Sequence, residues 1–588
     1  MRNSAISLTV GAAVALACVP TTRARAAEPA DDQAVLQEII VTSQRREQRL
    51  QDVPVAVTAL DAEELEARGV SSTHDVLPMI PNVTYDESFT VGNSFVSVRG
   101  VSQINNADPP VAIVIDGVPQ NNQKQLRMEL FDVERIEVLK GPQGALYGRN
   151  AIGGAINIVT KAPTNDLEGW VEGGFGSGSL KSISAAVSGP IADDKVLFRL
   201  SGAYKDSDGN VQNTFLHEDV DFFTSKDLRG RLLFLPTENL KIDLRASYSN
   251  LDGGAVMDSS MDPLQPDNSN RELLPRSDIL GTSERKITDG TLKLDWRTAA
   301  GTLTAISGYT DLSEDYYGDL DFCNPVECPN GIFGLGPQAD QRQVLDVKLL
   351  SQELRFTSPD DRALRWIAGA FYLNTQRDLQ TVGNLLIPGI PPIPIISSLE
   401  SNDNDAYSLF AQVDYDFTDR TTLGVSLRYD EDKRKQTDAG DPARPTREKS
   451  FDDTQPRVVL SHKFTDDMLG YASYATGFRS GGFNGIGGRP FKAETLQNFE
   501  LGYKSMWLER RLRLNAAVFR SRGDDYQFFY VDFNAGGAQV IDNLSKVEFT
   551  GAEVELQAQV TRHWEIDAAL GVLDSDIKAF DPTLTVPA

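Results

Sequence analysis

From residue 166 onward, one run after another alternates apolar and polar residues with a period of two. Leu240, Ile242, Leu244, Ala246 and Tyr248 stand against Lys241, Asp243, Arg245, Ser247 and Ser249. The pattern recurs at 196–204, 407–417, 423–429, 501–507, 512–518 and 552–560. Successive side chains of an extended strand point to opposite faces, so each run predicts a strand with one apolar and one polar face. Beyond the N-terminus no stretch approaches the roughly 18 consecutive apolar residues of a membrane helix. A chain without such helices can cross a bilayer only as a closed barrel, because lipid offers no hydrogen-bond partner to a strand edge. Strand after strand with one apolar and one charged face predicts a mainly β chain, a transmembrane antiparallel β-barrel with lipid outside and water inside. A soluble sandwich also alternates, but its strands are shorter and its connections less regular.

The connections here alternate in length. Short ones fall at 236–239, 298–301, 359–362, 419–420, 465–467, 508–510 and 561–563. Long polar ones fall at 206–225, 251–283, 314–342, 379–403, 431–450, 480–491 and 523–545. Tight turns on the periplasmic side and extended loops outside are the habit of outer-membrane barrels, so the asymmetry orients the chain. Counted this way there are about seventeen strands.

Charge and cysteine usage set the compartment. Of 588 residues, 57 are basic and 84 acidic, a net charge of −27. Such an acid surplus argues against nucleic acid as a partner, since phosphate binding needs basic patches. Residues 1–26 read as a secretory signal peptide: Arg2, an apolar core over 5–19, and Ala24-Arg25-Ala26 as the cleavage pattern. Lipid attachment through Cys18 fits less well, because Ala15, Leu16 and Ala17 depart from that pattern. Cleavage leaves Cys323 and Cys328, in CNPVEC. An oxidising compartment points to a disulfide stapling a loop, with two unpaired thiols as the alternative and zinc disfavoured by the lack of a second Cys/His pair.

Residues 131–163 read FDVERIEVLKGPQGALYGRNAIGGAINIVTKAP. Ile136 and Val138 alternate with Arg135 and Glu137, and Ile156 and Ile158 with Asn157, so each end predicts a half-buried strand. Between them lie Gly141, Pro142, Gly144, Gly148, Gly153 and Gly154, which predict tight turns and close backbone approach, not a helix. A phosphate-cradling loop does not fit. Lys140 precedes Gly141 where a Walker loop needs Gly-Lys-Ser/Thr, and a strand follows Gly154 where a dinucleotide fold needs a helix. The stretch strongly resembles the plug domain of TonB-dependent outer-membrane receptors. YASYATGFRSGGFN at 471–484 and TLQNFELGYK at 495–504 resemble the barrel of the same family, so the resemblance spans nearly the whole mature chain.

Local signals agree with a small α/β plug at 51–162 followed by a barrel at 163–588. A short apolar strand is read at 53–57. Asp61 caps a helix, Glu64 reaches back to it and Gly69 ends it. A second helix over 72–77 stops at Pro78, and strands are read at 95–100 and 111–118, the latter turning at Asp116-Gly117. Upstream, 27–50 reads as a periplasmic leader, polar and mobile over 28–37.

The resemblance implies more. Glu38, Ile39, Ile40, Val41 and Thr42, followed by Arg45, Arg46 and Arg49, match the family's TonB box, which pairs edge to edge with a strand of TonB, the protein energised by ExbB/ExbD. Strand addition needs few specific side chains, so the bland alternative is the first strand of a globular domain. An ion-pair lock between plug and barrel is implied for Arg99 and Arg135 with Glu500 and Glu553, although buried pairs also occur purely for structure. The family's barrels have about twenty-two strands and end on an aromatic residue, usually Phe. This chain stops at TLTVPA over 583–588, after an odd-numbered strand. An unclosed barrel leaves two unpaired edges in lipid. The expectation is a truncated product or fragment, incomplete at the C-terminus, that does not insert alone as a working receptor.

No catalytic constellation is present. His74, His217, His462 and His563 are scattered without metal spacing, Asp206-Ser-Asp208-Gly209 lacks the rest of a calcium loop, and neither Gly-x-Ser-x-Gly nor His-Glu-x-x-His occurs. The expectation is therefore no enzyme, no cofactor and no metal. The resemblance implies energy-coupled import through a plugged barrel in the outer membrane of a Gram-negative bacterium, with a ferric siderophore as the default substrate. Vitamin, oligosaccharide and aromatic ligands remain open, and the apolar loop at 384–396 offers either ligand contact or plain packing. A passive adhesin-like barrel and a secreted soluble β-protein are the competing classes.

Overall fold

The computed structural model describes residues 6–7, 35–257, 274–327, 338–441, 443–485, 488–532, 538–561 and 563–579. An 18-stranded antiparallel sheet dominates it. Seventeen of its strands run from Glu168–Phe175 to Trp564–Ala579, each pairing with the next long strand in the chain. The eighteenth is Ile6–Ser7, inside the stretch read as a signal peptide, which pairs with Phe175 and Gly174. Among the described residues the two outermost long strands do not pair with each other.

The faces are those of a membrane barrel. On Leu240–Ala255, Leu244 and Tyr248 are 45% and 41% exposed while Asp243, on the opposite face, is 1% exposed. Apolar side chains outward and charges inward invert the arrangement of a soluble protein.

Short connections lie where the sequence places them. Strands stop at Thr237, Thr298, Thr418, Thr465, Trp507 and Thr561 and resume at Leu240, Gly301, Thr421, Met468, Leu512 and Trp564. The long connections are shorter than expected, except that 480–493 lie between the barrel strands Met468–Arg479 and Glu494–Trp507. Leu364–Leu385 and Ile393–Thr418 leave only 386–392 between them, where the sequence predicts a loop over 379–403. Ile393–Thr418 has 26 residues. At about 3.4 Å each it extends on the order of 90 Å, against a hydrocarbon core of about 30 Å. The outer part of this hairpin lies beyond the lipid; 400–405 are polar on both faces and 385–396 are apolar without alternation, so a period of two does not mark the strand there.

Residues 35–162 sit within this wall. Ion pairs leave them toward barrel strands in succession: Asp132 to Arg199, Asp116 to Arg245, Lys124 to Glu314, Arg45 to Glu353, Arg149 to Asp432 and Arg99 to Glu500 and Glu553. Only a body surrounded by the sheet can reach all of those strands.

That inner body is built on a five-stranded sheet in the order Val57–Asp61, Val133–Lys140, Gly154–Thr160, Val111–Ile115, Val118–Gln120. Ile136 pairs with Ile158 and Val138 with Ile156, and these four join Val98, Val111 and Leu126 in one buried cluster. Asp61 and Glu64 form a reciprocal capping box on the helix Ala62–Ala67, and Gly69 follows with a φ of +65°. Thr73–Val76 is helical and passes into a 3-10 turn, Leu77–Met79, containing Pro78.

Two expectations need correction. The strand read at 53–57 begins only at Val57; Val53 and Val55 are buried in irregular, bending chain after the 3-10 turn Leu50–Asp52. The glycine-rich stretch, read as turns without helix, contains one helical turn, Gly144–Tyr147. Glycine is still required at its first residue, Gly144, and just after it, at Gly148. Gly148 has a φ of +86°, and a β-carbon on Gly144 would collide with the Gln455 side chain of the barrel wall.

Candidate functional site: the plug–barrel lock and the buried coupling segment

Strand Ser94–Val98 ends in a turn at Arg99, φ 52°, and Gly100, φ 85°, before Val101–Ser102. A non-glycine residue in the left-handed region is uncommon and costs about 1 kcal/mol or more. Arg99 is held there by its own N–H donating to the Asn82 carbonyl, 2.8 Å, and the turn aims its side chain at the wall.

The guanidinium meets two carboxylates. Nε and Nη2 each donate to Glu553 at 2.8 Å, and Nη1 donates to Glu500 at 2.5 Å. All three side chains are 2–3% exposed. The Phe519 ring lies 4.0 Å beneath the guanidinium carbon. Tyr471 donates its hydroxyl to the other Glu500 oxygen, 2.7 Å, and Ala56 N donates there at 3.2 Å. Charges removed from water this completely are stable only when each is paired and its remaining lone pairs are satisfied.

Arg135 does not join this group. Its Nε donates to Glu137 at 2.8 Å, Nη1 pairs with Glu134, and Nη2 donates to the Thr42 hydroxyl at 3.0 Å. The second plug cation at the lock is Lys140, whose Nζ lies 3.1 Å from Glu553 and 2.8 Å from Glu555. Parity along Val133–Lys140 could not reveal this. The strand is central in its sheet and buried on both faces, so alternation does not tell which end meets the wall. Lys140 and Tyr471 are the lock residues that sequence reasoning missed.

The segment 38–42 is folded against the plug. Ile40–Val41 forms a two-residue antiparallel pair with Gln48–Arg49 of the same chain. Ile39 and Val41 are buried with Leu50, Val53, Val55 and Leu139, whereas Ile40 and Glu38 face outward, Glu38 pairing with Arg49 at 3.1 Å. Thr42 donates its N–H and its hydroxyl to Glu137, 2.9 and 3.3 Å. The leader expected to be mobile is therefore ordered from residue 35 onward, and 28–34 lie outside the described residues.

The three arginines after it fasten the segment further. Arg45 stacks on Tyr147, 5.0 Å, and reaches Glu353 at 3.5 Å. Arg46 donates to the Ser358 carbonyl at 2.8 Å, the Ser358 hydroxyl at 3.1 Å and the Trp366 carbonyl at 3.0 Å, all at a short turn of the barrel. Arg49 closes on Asp52 at 2.7 Å.

Other expected features are placed as follows. Cys323 is buried and disulfide-bonded; Cys328 lies outside the described residues. The loop tip at 388–395 is exposed and carries no charge. His74 rests edge-on against Tyr85 and His462 against Phe464. Among the described residues no group of three or more His, Cys, Asp or Glu is arranged to hold a metal, and no helix is long and apolar enough to cross a membrane.

A plug pinned inside a barrel, with an N-terminal strand tucked beneath it, can be compared with known proteins. Residues 186–583 match the family described as TonB dependent receptor-like, beta-barrel, and residues 49–155 match the TonB-dependent Receptor Plug Domain. The chain belongs to the TonB-dependent receptor family. Such receptors are outer-membrane barrels of Gram-negative bacteria that work in TonB-coupled transport of small molecules and are not enzymes. The pesticin receptor of Yersinia enterocolitica is 27% identical over 536 residues, which are 89% of this chain and 75% of that one. The ferric yersiniabactin uptake receptor FyuA from Yersinia pestis superposes with a TM-score of 0.76 at 24% identity, covering 89% of this receptor and 79% of FyuA. The pyoverdine receptor FpvA from Pseudomonas aeruginosa gives 0.74 at 18% identity, covering 93% and 81%.

Proposed function

We propose that this receptor imports a ferric siderophore across the outer membrane by rearranging its plug, drawn by TonB and the ExbB/ExbD complex in a barrel held by outer-membrane lipid. The observation that carries the reading is the docking of 39–42. It is anchored through one two-residue strand pair, a few hydrogen bonds to Glu137 and Arg135, and the burial of two apolar side chains, Ile39 and Val41. Contacts of that kind are exchangeable for strand addition to another protein at modest cost. The lock at Arg99 supports the same reading. Its polar contacts can re-form with water as the plug moves, which a dry apolar interface cannot do.

An iron chelate is favoured because relatives of similar sequence and fold carry ferric yersiniabactin and pyoverdine in their names. A receptor of the same fold for a carbohydrate, vitamin or aromatic ligand, and a passive adhesin-like barrel, are the rival readings. Growth of gene-deleted and complemented cells on single iron chelates separates them. Iron-chelate-dependent growth that requires the gene supports the proposal, and equal growth with and without the gene on every chelate overturns it.

A further inference from the structure

The gap between plug and wall is uneven. Beside the lock, bounded by Lys140, Tyr471, Ala517 and Glu553, the free space is about 20 Å³. On another side a cavity of about 110 Å³ runs between the plug hairpin at Asp116–Val118 and strands Val196–Ser207, Phe223–Thr237, Leu240–Ala255 and Gly281–Thr298. A space of that size holds several waters.

Its wall carries an unusual row. Arg199 is directly opposite Arg231, and Arg231 directly opposite Arg245, across three adjacent strands, with Arg229 one step above. Like charges directly opposed on one sheet face are destabilising, and this row stands in a chain of net charge −27. Every one of the four touches the plug. Arg199 pairs with Asp132, its Nε at 2.8 Å. Arg229 donates to the Phe131 and Glu129 carbonyls, 2.8 and 2.9 Å. Arg231 donates to the Thr160 and Lys161 carbonyls at 3.1 Å. Arg245 pairs with Asp116 at 2.9 Å.

If the plug leaves this wall, Asp132 and Asp116 leave with it. Asp243 stays between Arg231 and Arg245, Glu168 stays beside Arg199 half exposed, and Asp289 and Asp227 lie one and two rows higher, bonded to Thr310 and Ser225. At the height of the row three guanidinium groups then face one buried carboxylate.

We propose that Arg199, Arg229, Arg231 and Arg245 form a transit site for an anionic metal chelate, covered by the plug at rest and uncovered when the plug is drawn off this wall. The proposal rests on the import reading, but its test does not. The receptor purified from outer membranes is placed in a planar bilayer under a KCl gradient, with urea enough to loosen the plug and not the barrel. Arg231→Gln/Arg245→Gln lowers the chloride-over-potassium permeability ratio by about threefold or more, and an anionic ferric tris-catecholate blocks the parent current better than a neutral ferric trihydroxamate. Arg457→Gln/Arg513→Gln, an equal charge change on buried wall arginines elsewhere, leaves the ratio near the parent value. Equal shifts from both pairs, or none from the first, overturn the site. Loss of cellular uptake dependence with the selectivity shift intact would instead overturn the import reading and spare the wall.

Discussion

Glu137→Gln tests how the segment 38–42 is held. The Glu137 carboxylate is fully buried, accepts from Thr42 N, the Thr42 hydroxyl and Arg135 Nε through one oxygen, and has no partner on the other. Of the three bonds that Glu137 accepts, release of 38–42 breaks the two from Thr42 and leaves the one from Arg135 in place. A bond to a charged acceptor contributes about 1.5–3 kcal/mol and one to a neutral acceptor about 0.5–1.5. The Thr42 N–H bond is short and its hydroxyl bond long, so the amide lowers the cost of release by about 1–2 kcal/mol in total. That difference raises the released population about 5- to 30-fold. Val41→Cys serves as reporter, because Val41 is fully buried when docked. The rate of its labelling by a membrane-impermeant maleimide, without ligand, rises by the same factor in the Glu137→Gln background. A rate within about twofold of the parent would show that the carboxylate does not hold the segment.

Arg135→Ala removes the second contact to Thr42; it raises the same labelling rate and alters uptake while the heat-modifiable migration of the barrel stays unchanged, and a lost barrel band would contradict the placement. Arg99→Gln leaves Glu500 and Glu553 buried without their shared cation, so the plug unfolds at lower denaturant by an equivalent of about 3–5 kcal/mol, measured by plug tryptophan-free probes such as hydrogen exchange over 57–115. Acid acts on the outer plug. Burial pushes the Asp75 and Glu87 carboxyls up, but the nearby His74 and Lys205 and hydrogen bonds from Ser71 and Ser72 to Asp75, and the Arg127 charge beside Glu87, overcome it and hold both below their ordinary values. Their stabilisation is present above the ordinary carboxylate pKa of about 4 and is lost as pH falls through the depressed folded values. Hydrogen-exchange protection over 72–98 therefore declines below about pH 4, and a rise in protection there would reverse the sign.

The barrel was legible because its code is redundant. Leu244, Ala246 and Tyr248 repeat one instruction, and an error at one position leaves the others intact. Periplasmic turns were legible for the same reason, since they interrupt an apolar face. Strand ends on the outer side were not, because Ile393–Thr418 leaves the lipid long before it stops being a strand and pairs through its backbone. Arg99, Glu500 and Glu553 came together as the family resemblance implied. Arg135 did not, and Lys140 took its place, because a sheet buried on both faces gives no parity signal for direction. The docking of 38–42 onto its own chain was hidden for a different reason. A short apolar strand flanked by arginines is equally suited to an intramolecular and an intermolecular edge, and Arg46 finds its partners more than three hundred residues away.

Deleting 38–42 while leaving the plug and barrel in place asks directly whether the receptor is pulled from below. Cells carrying the deletion and the parent are compared for surface binding and for accumulation of the same labelled ferric chelate. The account predicts unchanged binding with accumulation reduced to the level of cells lacking TonB. Accumulation equal to the parent would contradict it.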